Sequence, residues 1–216
     1  MFVNIHTHQG HLEGIWSIQN IHETFDSIQA INNYSIGIHP WHIDKLNWKE
    51  NFTKLKIASK NNHILAIGEC GLDRLSVADF KLQVEIFIQH IKWANEIAKP
   101  LIIHCVRAHD EVLQLLKDYQ CNVPVIFHGF NNKKELAEKI IKSGYYLSFG
   151  KALFNPGVEI IFNDLPLEKI FFETDDSDST IESVYQQAGR IKNISLEQLS
   201  LQLKKNAQKV FHVSSF

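Results

Sequence analysis

The sequence has few of the features that secreted or membrane-bound proteins carry. Its only cysteines are at positions 70, 105 and 121, and none of them forms a C-x-x-C pair. Neither a disulfide framework nor a cysteine zinc site is therefore expected. The chain has no apolar run as long as a bilayer span, and its first residues lack a basic leader. We expect a cytoplasmic protein that does not bind membranes.

Excess charge of one sign is absent as well. The 22 Lys and Arg residues nearly balance 24 Asp and Glu residues, which gives a net charge of −2. This balance argues against binding nucleic acid through a broad basic face, because that mode relies on many cations. A charged fraction of 21% and 14 Phe residues exclude intrinsic disorder, and the length suits one domain over residues 1–216.

What the sequence does contain is an alternation of apolar runs and amphipathic stretches. Eight runs rich in β-branched or aromatic residues end in polar residues: FVNIHTH, GIWSIQ, YSIGIHP, ILAIGECG, PLIIHCV, VPVIFHG, YYLSFG and KIFFETD. The stretches between and after them have helical spacing: 22–32, 48–60, 78–98, 109–119, 133–143, a short one after Pro156, 180–191 and 195–211. Ser195 and Gln198 predict a capping box on the last helix.

This alternation is typical of a parallel sheet covered by helices. Eight strand–helix units need roughly 210 residues, so the chain just fits a compact (β/α)8 TIM-type barrel. The segment between His8 and Gly14 is too short for a helix, which predicts a first crossover reduced to a loop. An open doubly wound sheet is the competing architecture, but QGHLEG lacks the spacing of its glycine-rich loop.

Ionisable side chains stand at the carboxyl ends of five of the eight runs. They are His6, His8, Glu69, His104, His128 and Asp175. In a parallel barrel these ends converge on one face, where barrel enzymes place their chemistry. A single histidine at a strand end is more often structural, but six such groups would be costly to bury without a cation. Imidazoles with carboxylates suit Zn, Mn, Ni or Fe, and two such ions suit a hydrolytic site.

The other histidines are not predicted to be metal ligands. His39, at the end of the third run, is predicted to contact substrate or to support a ligand, and His109 is intermediate. The remaining ones are predicted to be solvated in loops or on helix faces: His11, His22, His42, His63, His90 and His212. Cys70 and Cys105 alternate with the inward-facing Glu69 and His104, which predicts that the two cysteines pack against helices.

At this point the sequence resembles the TatD-like deoxyribonucleases, metal-dependent hydrolases of the amidohydrolase-type barrel superfamily. The resemblance follows the whole chain in order: NIHTH, GIHPWH, IGECGLDR, KPLIIHCVRA, FHGF, LSFG, FFETD and KKNAQKVF. It implies a first divalent ion, of Zn, Mn, Mg, Ni or Fe, on His6, His8, Glu69 and Asp175. It further implies that Glu69 bridges to a second ion completed by His104 and His128.

The sequence departs from the family pattern at several positions. Asn4 replaces the usual Asp of the opening block, and Val106 replaces an Arg, with Arg107 one position later. DSD follows Asp175 where a small residue and proline are usual, and Arg74 follows the GLD block. These changes concern the substrate rim, so the metal ligands transfer from the family more safely than the substrate.

The resemblance implies hydrolysis of DNA phosphodiester bonds by a metal-activated water. Two divalent ions bring +4 against two ligand carboxylates, leaving about +2 to attract phosphate by simple counting. We predict Asp175 as the general base beside Glu69, and Arg107, Arg74 and His39 as substrate contacts. The alternatives are a related hydrolase of a small ester, amide, lactone or phosphoester, and a barrel that binds metal without turnover. No protein partner can be inferred.

Overall fold

The computed structural model describes residues 1–10, 12–22, 28–29 and 32–214. Each of the eight apolar runs forms a strand. The strands are β1 Phe2–Thr7, β2 Ile15–Ile21, β3 Asn33–Ile36, β4 Ile64–Asp73, β5 Leu101–Val106, β6 Val125–Phe127, β7 Tyr146–Phe149 and β8 Ile170–Phe172. The spacing of β-branched and aromatic residues therefore predicted every strand in its correct place.

The helices also follow the predicted amphipathic stretches. They are α1 Trp48–Ala58, α2 Phe80–Ile97, α3 His109–Asp118, α4 Lys134–Lys142, α5 Pro156–Asp164, α6 Ile181–Lys192 and α7 Leu196–Phe211, with short 3-10 helices at Lys151–Phe154 and Leu167–Lys169. The capping box of Ser195 and Gln198 is confirmed. The helix predicted over 22–32 falls largely outside the described residues. Residues 8–10 and 12–14 form bends and turns without a helix, as predicted for that crossover.

The eight strands belong to one sheet in the order β1 to β8. The pairs β1–β2, β3–β4, β4–β5, β6–β7 and β7–β8 are parallel. Parallel strands in chain order, alternating with helices, form the predicted (β/α)8 TIM-type barrel. Contacts divide the chain into two compact units, unit 1 of Met1–Gln19 with Ile126–Phe216 and unit 2 of Asn20–Val125. A single domain over residues 1–216 stays a prediction.

In unit 1, the chain after β8 is joined to β1. The backbone N–H groups of Thr174 and Asp175 both donate to the carbonyl of His6, at 3.3 and 3.0 Å. The buried Tyr185 of α6 accepts from the backbone N–H of Val3 at 3.1 Å, which fixes β1 against this helix. The seam between the first and last strands therefore sets the position of the residues that follow β8.

In unit 2, β4 lies between β3 and β5. Gly71 has a φ of 146°, a conformation that other residues rarely adopt. A Cβ at Gly71 would collide with the carbonyl oxygen of His104, so only glycine lets β4 approach β5 this closely. The close approach holds Glu69 and Asp73 of β4 beside His104 of β5.

None of the helices in the described part of the chain is long and apolar enough to cross a bilayer.

Candidate metal centre

Unit 1 brings together three of the predicted ligands. His6 and His8 belong to the end of β1, and Asp175 follows β8. Oδ1 of Asp175 lies 3.4 Å from Nε2 of His6 and 3.5 Å from Nε2 of His8. His6 is fully buried, whereas the side chains of His8 and Asp175 are 32% and 37% exposed. We call these three residues cluster A.

The backbone around Asp175 explains how cluster A forms. Asp175 has a φ of 53°, and its carbonyl accepts from the backbone N–H of His8 at 3.3 Å. Asn4 exchanges two hydrogen bonds with Thr174, from Nδ2 to Oγ1 at 2.9 Å and from the Thr174 N–H to Oδ1 at 3.1 Å. Thr174 in turn donates to Oγ1 of Thr7 at 3.0 Å. Asn4, which replaces the family's Asp, thus holds the segment that carries Asp175 through hydrogen bonds of an uncharged side chain.

His128 and Glu173 extend cluster A within unit 1. The rings of His128 and His6 have centroids 4.3 Å apart, and Nδ1 of His128 lies 3.5 Å from Oε1 of Glu173. Oε1 also accepts from the backbone N–H of Gly129 at 2.6 Å. The other oxygen of Glu173 is buried without a hydrogen-bond partner in the part of the chain described. Glu173 was missed in the sequence, although it belongs to the same ETD block as Asp175.

Unit 2 brings together the other two predicted ligands and a third residue. Oε1 of Glu69 lies 3.0 Å from Nδ1 of His104 and 3.1 Å from Nε2 of His39. Glu69 and His39 are buried and His104 is nearly so, with 13% of its side chain exposed. We call these three residues cluster B. His39 had been assigned to substrate or support, and the structure places it directly on Glu69.

The two imidazoles of cluster B have different hydrogen-bond roles. Nδ1 of His39 accepts from the backbone N–H of Trp41 at 3.0 Å, so the proton of the neutral ring lies on Nε2 and donates to Glu69. This supports a donor role for His39 rather than a ligand role. Nε2 of His104 instead contacts Oδ2 of Asp73 at 2.9 Å, which directs Nδ1 toward Glu69. Asp73 thereby orients His104 in the way carboxylates orient metal-bound histidines.

Asn20 supports Glu69, the carboxylate of cluster B. Its side-chain oxygen accepts from the backbone N–H of Glu69 at 2.9 Å and from Oγ of Ser35 at 3.2 Å. Its Nδ2 lies 3.5 Å from Oε2 of Glu69. Asn20 and Asp73 were both missed in the sequence. Each is a polar residue at the end of its strand, which is the signal that could have identified them.

Both clusters fit a divalent cation. Ligand atoms about 2.1 Å from one ion are about 3.0 Å apart at a right angle and about 3.4 Å apart at the tetrahedral angle. The nitrogen–oxygen separations of the candidate ligands are 3.4 and 3.5 Å in cluster A, and that between His104 and Glu69 in cluster B is 3.0 Å. In cluster B, Nδ1 of His104 and Oε1 of Glu69 are both electron-rich if His104 is neutral. A positive charge between them, from a proton or a cation, would make that contact favourable.

Burial and hydrogen bonding shift several pKa values. Burial would raise the pKa of Asp175, but the side chains of His6 and His8 hold it well below its usual value. The pKa of Asp73 is also lowered, because hydrogen bonds from His104, Leu75 and Trp41 outweigh burial. Burial lowers the pKa of His39. The carboxylates of Asp175 and Asp73 are therefore ionised at neutral pH, as cation binding requires.

The cysteines have the packing role predicted for them. Cys70 is fully buried, and burial raises its pKa well above the ordinary value. Burial likewise raises the pKa of Cys105 to about 12. Neither sulfur supplies a thiolate at neutral pH, so these residues are unsuited to metal binding.

The two arginines differ in their surroundings. Arg74 forms an ion pair with Glu111, and its guanidinium lies 4.2 Å from the ring centroid of Phe80. Arg107 follows β5 with a φ of 53° and is exposed, without an ion-pair partner among the residues described. Arg107 is therefore the better placed of the two to bind an anion, whereas Arg74 would first have to leave Glu111.

One prediction about the histidines is wrong. His90 is fully buried rather than solvated. Its Nε2 accepts from the backbone N–H of Ile38 at 3.1 Å, and its Nδ1 donates to the carbonyl of Ile86 at 2.9 Å. Burial lowers its pKa to about 4, so the ring is neutral at pH 7. His90 thus holds the backbone of Ile38, the residue before His39. The sequence did not reveal this role, because the helical stretch around His90 has apolar residues on several sides.

Comparisons with known proteins show the family and the fold. The sequence profile of the family described as "TatD related DNase" matches residues 12–212. The chain is 28% identical over 220 residues to an uncharacterized metal-dependent hydrolase of Buchnera aphidicola subsp. Baizongia pistaciae, across 93% of this chain and 82% of the relative. It is 27% identical over 211 residues to the uncharacterized metal-dependent hydrolase YabD of Bacillus subtilis, across 89% and 80%. The structure of YjjV, a TatD homolog from Escherichia coli K12, matches with a TM-score of 0.84 at 19% identity over 98% of both chains, which shows the fold.

Proposed function

The chain belongs to the family of TatD related DNases and is a metal-dependent hydrolase of that family, and we propose that it cleaves phosphodiester bonds of DNA. The observation that carries the proposal is the pair of carboxylate–imidazole clusters, each built from residues at strand ends. A cluster of this kind holds a divalent cation, and hydrolysis of a phosphodiester is the chemistry to which such cations are suited.

We assign one ion to cluster A, on His6, His8 and Asp175, and one to cluster B, on Glu69 and His104. The family pattern also gives Glu69 to both ions and adds His128 to the second. His128 lies in unit 1 and His104 in unit 2, so that sharing stays a prediction. The number and identity of the ions are likewise part of the proposal.

The charge available to a phosphate is smaller than the ligands alone imply. Each ion of +2 has one ligand carboxylate, but Glu173 lies on His128 beside cluster A and Asp73 lies on His104 of cluster B. With these neighbouring carboxylates counted, the sum is 2 − 1 − 1 = 0 at each site, rather than +1. Attraction of DNA therefore depends more on Arg107, which is exposed and has no ion-pair partner among the residues described.

Bound ions would supply Lewis-acid activation of the attacking water and of the phosphoryl oxygens. The residues of the chain would handle the protons. Asp175 is the proposed general base, since its carboxylate lies beside both histidines that would hold the ion and is partly open to solvent. His39 is proposed to support Glu69 through its Nε2–H, and the substrate contact predicted for it would require that hydrogen bond to be released. Arg107 is the proposed phosphate contact, with Arg74 as a secondary one.

The test is a substrate panel of single-stranded DNA, duplex DNA, small phosphoesters, carboxylic esters and amides. We expect DNA cleavage that a chelator abolishes and that Mn²⁺ or Mg²⁺ restores. Asp175→Asn should lower the rate by about 10²–10⁴-fold, while Asp176→Asn at the exposed neighbouring position should not. Full activity of Asp175→Asn with unchanged metal content would refute the base assignment. Turnover of small esters or amides but not of DNA would refute the nuclease proposal, and binding of metal without any turnover would refute hydrolysis.

A cytoplasmic location stays a prediction, and no protein partner is proposed.

A further inference from the structure

Trp41 is an exposed aromatic side chain next to cluster B. It lies in the segment between β3 and α1, and 61% of its surface is exposed. The tryptophans Trp48 and Trp93 of the same unit are only 8% and 6% exposed. Leaving an indole in solvent forgoes the stabilisation that burial of its large apolar surface would give. Its position therefore needs an explanation other than packing.

The indole is exposed but held in place. Its Nε1–H donates to Oδ2 of Asp73 at 2.6 Å, and the same oxygen contacts Nε2 of His104 at 2.9 Å. The backbone N–H of Trp41 donates to Nδ1 of His39 at 3.0 Å. The segment is further tied to the loop after β4, because Oγ of Ser76 donates to the carbonyl of Pro40 at 2.9 Å. Both the ring and its backbone are thus fixed to residues that contact Glu69.

The ring lies one or two nucleotide steps from the candidate chemistry. Its centroid is 5.2 Å from that of His39 and 5.9 Å from that of His104, and neither imidazole is stacked on it. Successive nucleotides of a stacked strand are about 3.4 Å apart. Proteins that hold single strands use rigid aromatic rings on which unpaired bases stack, a contact that tolerates any base. Leu75 and Val77, 61% and 102% exposed, add apolar surface on the loop tied to Pro40.

We infer that Trp41 is a stacking platform for an unpaired nucleobase adjacent to the phosphodiester to be cleaved. The inference rests on the proposed function and requires a base without a duplex partner, since bases within an intact duplex cannot reach the ring. A docked protein is a poorer occupant of this surface, because it would cover the access to cluster B.

Binding is measured with a single-stranded oligodeoxynucleotide whose phosphorothioate links resist cleavage, alongside cleavage of the ordinary oligonucleotide. Trp41→Leu removes stacking, whereas Trp41→Phe keeps an aromatic ring, and both lose the indole N–H bond to Asp73. An effect that acts through Asp73 and His104 would therefore appear in both variants. Leu46→Ala, at an 89% exposed position of the same segment, is the matched control. Circular dichroism and metal content verify folding.

We expect quenching of tryptophan fluorescence by the oligonucleotide in the wild type and not in Trp41→Phe. Trp41→Leu should weaken binding by about 5- to 100-fold, while Trp41→Phe and Leu46→Ala stay within about threefold. Replacing single bases in turn by abasic sites should weaken wild-type binding at one position and leave Trp41→Leu unaffected there. If the wild type cleaves DNA but Trp41→Leu binds it equally well, the platform is refuted and the proposed function stands. If the wild type neither binds nor cleaves DNA, the proposed function is refuted and the platform with it.

Discussion

Clusters A and B use similar side chains but are supported differently. In cluster B, the second nitrogen of each imidazole is fixed, in His39 by the Trp41 N–H and in His104 by Asp73. Its carboxylate is steered by Asn20, and its nitrogen–oxygen separations are 3.0 and 3.1 Å. Cluster A is more exposed, with separations of 3.4 and 3.5 Å. The protein orients cluster B by its own hydrogen bonds, whereas cluster A is more open to solvent.

The largest expected effect comes from removing the central charge of cluster B. Glu69→Gln should lower hydrolysis by about a thousandfold, equivalent to about 4 kcal/mol, because the cation there loses its only carboxylate ligand within cluster B. Steady-state rates and metal content by atomic absorption would measure it. Glu50→Gln, at an exposed site of the same unit, is the control. An active Glu69→Gln with full metal content would show that cluster B is not the part that binds the essential ion.

Acidic pH should weaken the stabilisation that the buried His90 gives to the segment carrying His39 of cluster B. Burial lowers the pKa of His90 from 6.5 to about 4, so the folded state binds the proton less readily than the unfolded state. The stabilisation is therefore complete above about pH 6.5 and is lost as the pH falls toward 4, amounting to about 3 kcal/mol. Urea unfolding of the chelated protein between pH 7 and 4 would measure this loss. His90→Gln should lack this part of the pH dependence, and identical pH profiles would contradict the assignment.

Two matched variants test whether Asp73 and Glu173, the carboxylates that contact His104 and His128, contribute differently to metal binding. Asp73→Asn should weaken metal binding at cluster B by about 10- to 100-fold, because His104 loses its orienting carboxylate. Glu173→Gln should have the smaller effect at cluster A, since Oε1 of Glu173 is 3.5 Å from His128 and its Oε2 has no partner among the described residues. Calorimetric titration with Mn²⁺ would measure both. A larger effect of Glu173→Gln would reverse the comparison.

The smallest expected effect concerns Asn4, whose hydrogen bonds to Thr174 hold the segment that carries Asp175. Asn4→Asp can still accept from the Thr174 N–H but can no longer donate to Oγ1 of Thr174. We expect a loss of about 1 kcal/mol in the free energy of unfolding of the chelated protein. Asn132→Asp, at an exposed position of the same unit, controls for the added charge. Unchanged stability would mean that Thr174 finds another donor at no cost.

The local pattern of the sequence determined the eight strands, most of the helices and the placement of six candidate ligands at strand ends. This was possible because strand and helix periodicity and strand-end position are properties of short segments. The same reasoning failed for His90, whose burial depends on which face of α2 meets the loop before His39. Helical periodicity alone could not separate that face from the exposed one.

Only the tertiary structure decided how the ligands are held. Asn20 on β2, Asp73 on β4 and Glu173 after β8 each act on residues that are distant in the chain, by 49, 31 and 45 positions. The orientation of the Trp41 ring likewise depends on its bond to Asp73, whereas the proton position on His39 is set locally by the Trp41 N–H two residues later. Sequence spacing specifies which side chains reach a strand end. Hydrogen bonds between residues distant in the chain then decide which nitrogen of His104 faces Glu69 and how the Trp41 ring is held, because those bonds exist only once the strands are assembled.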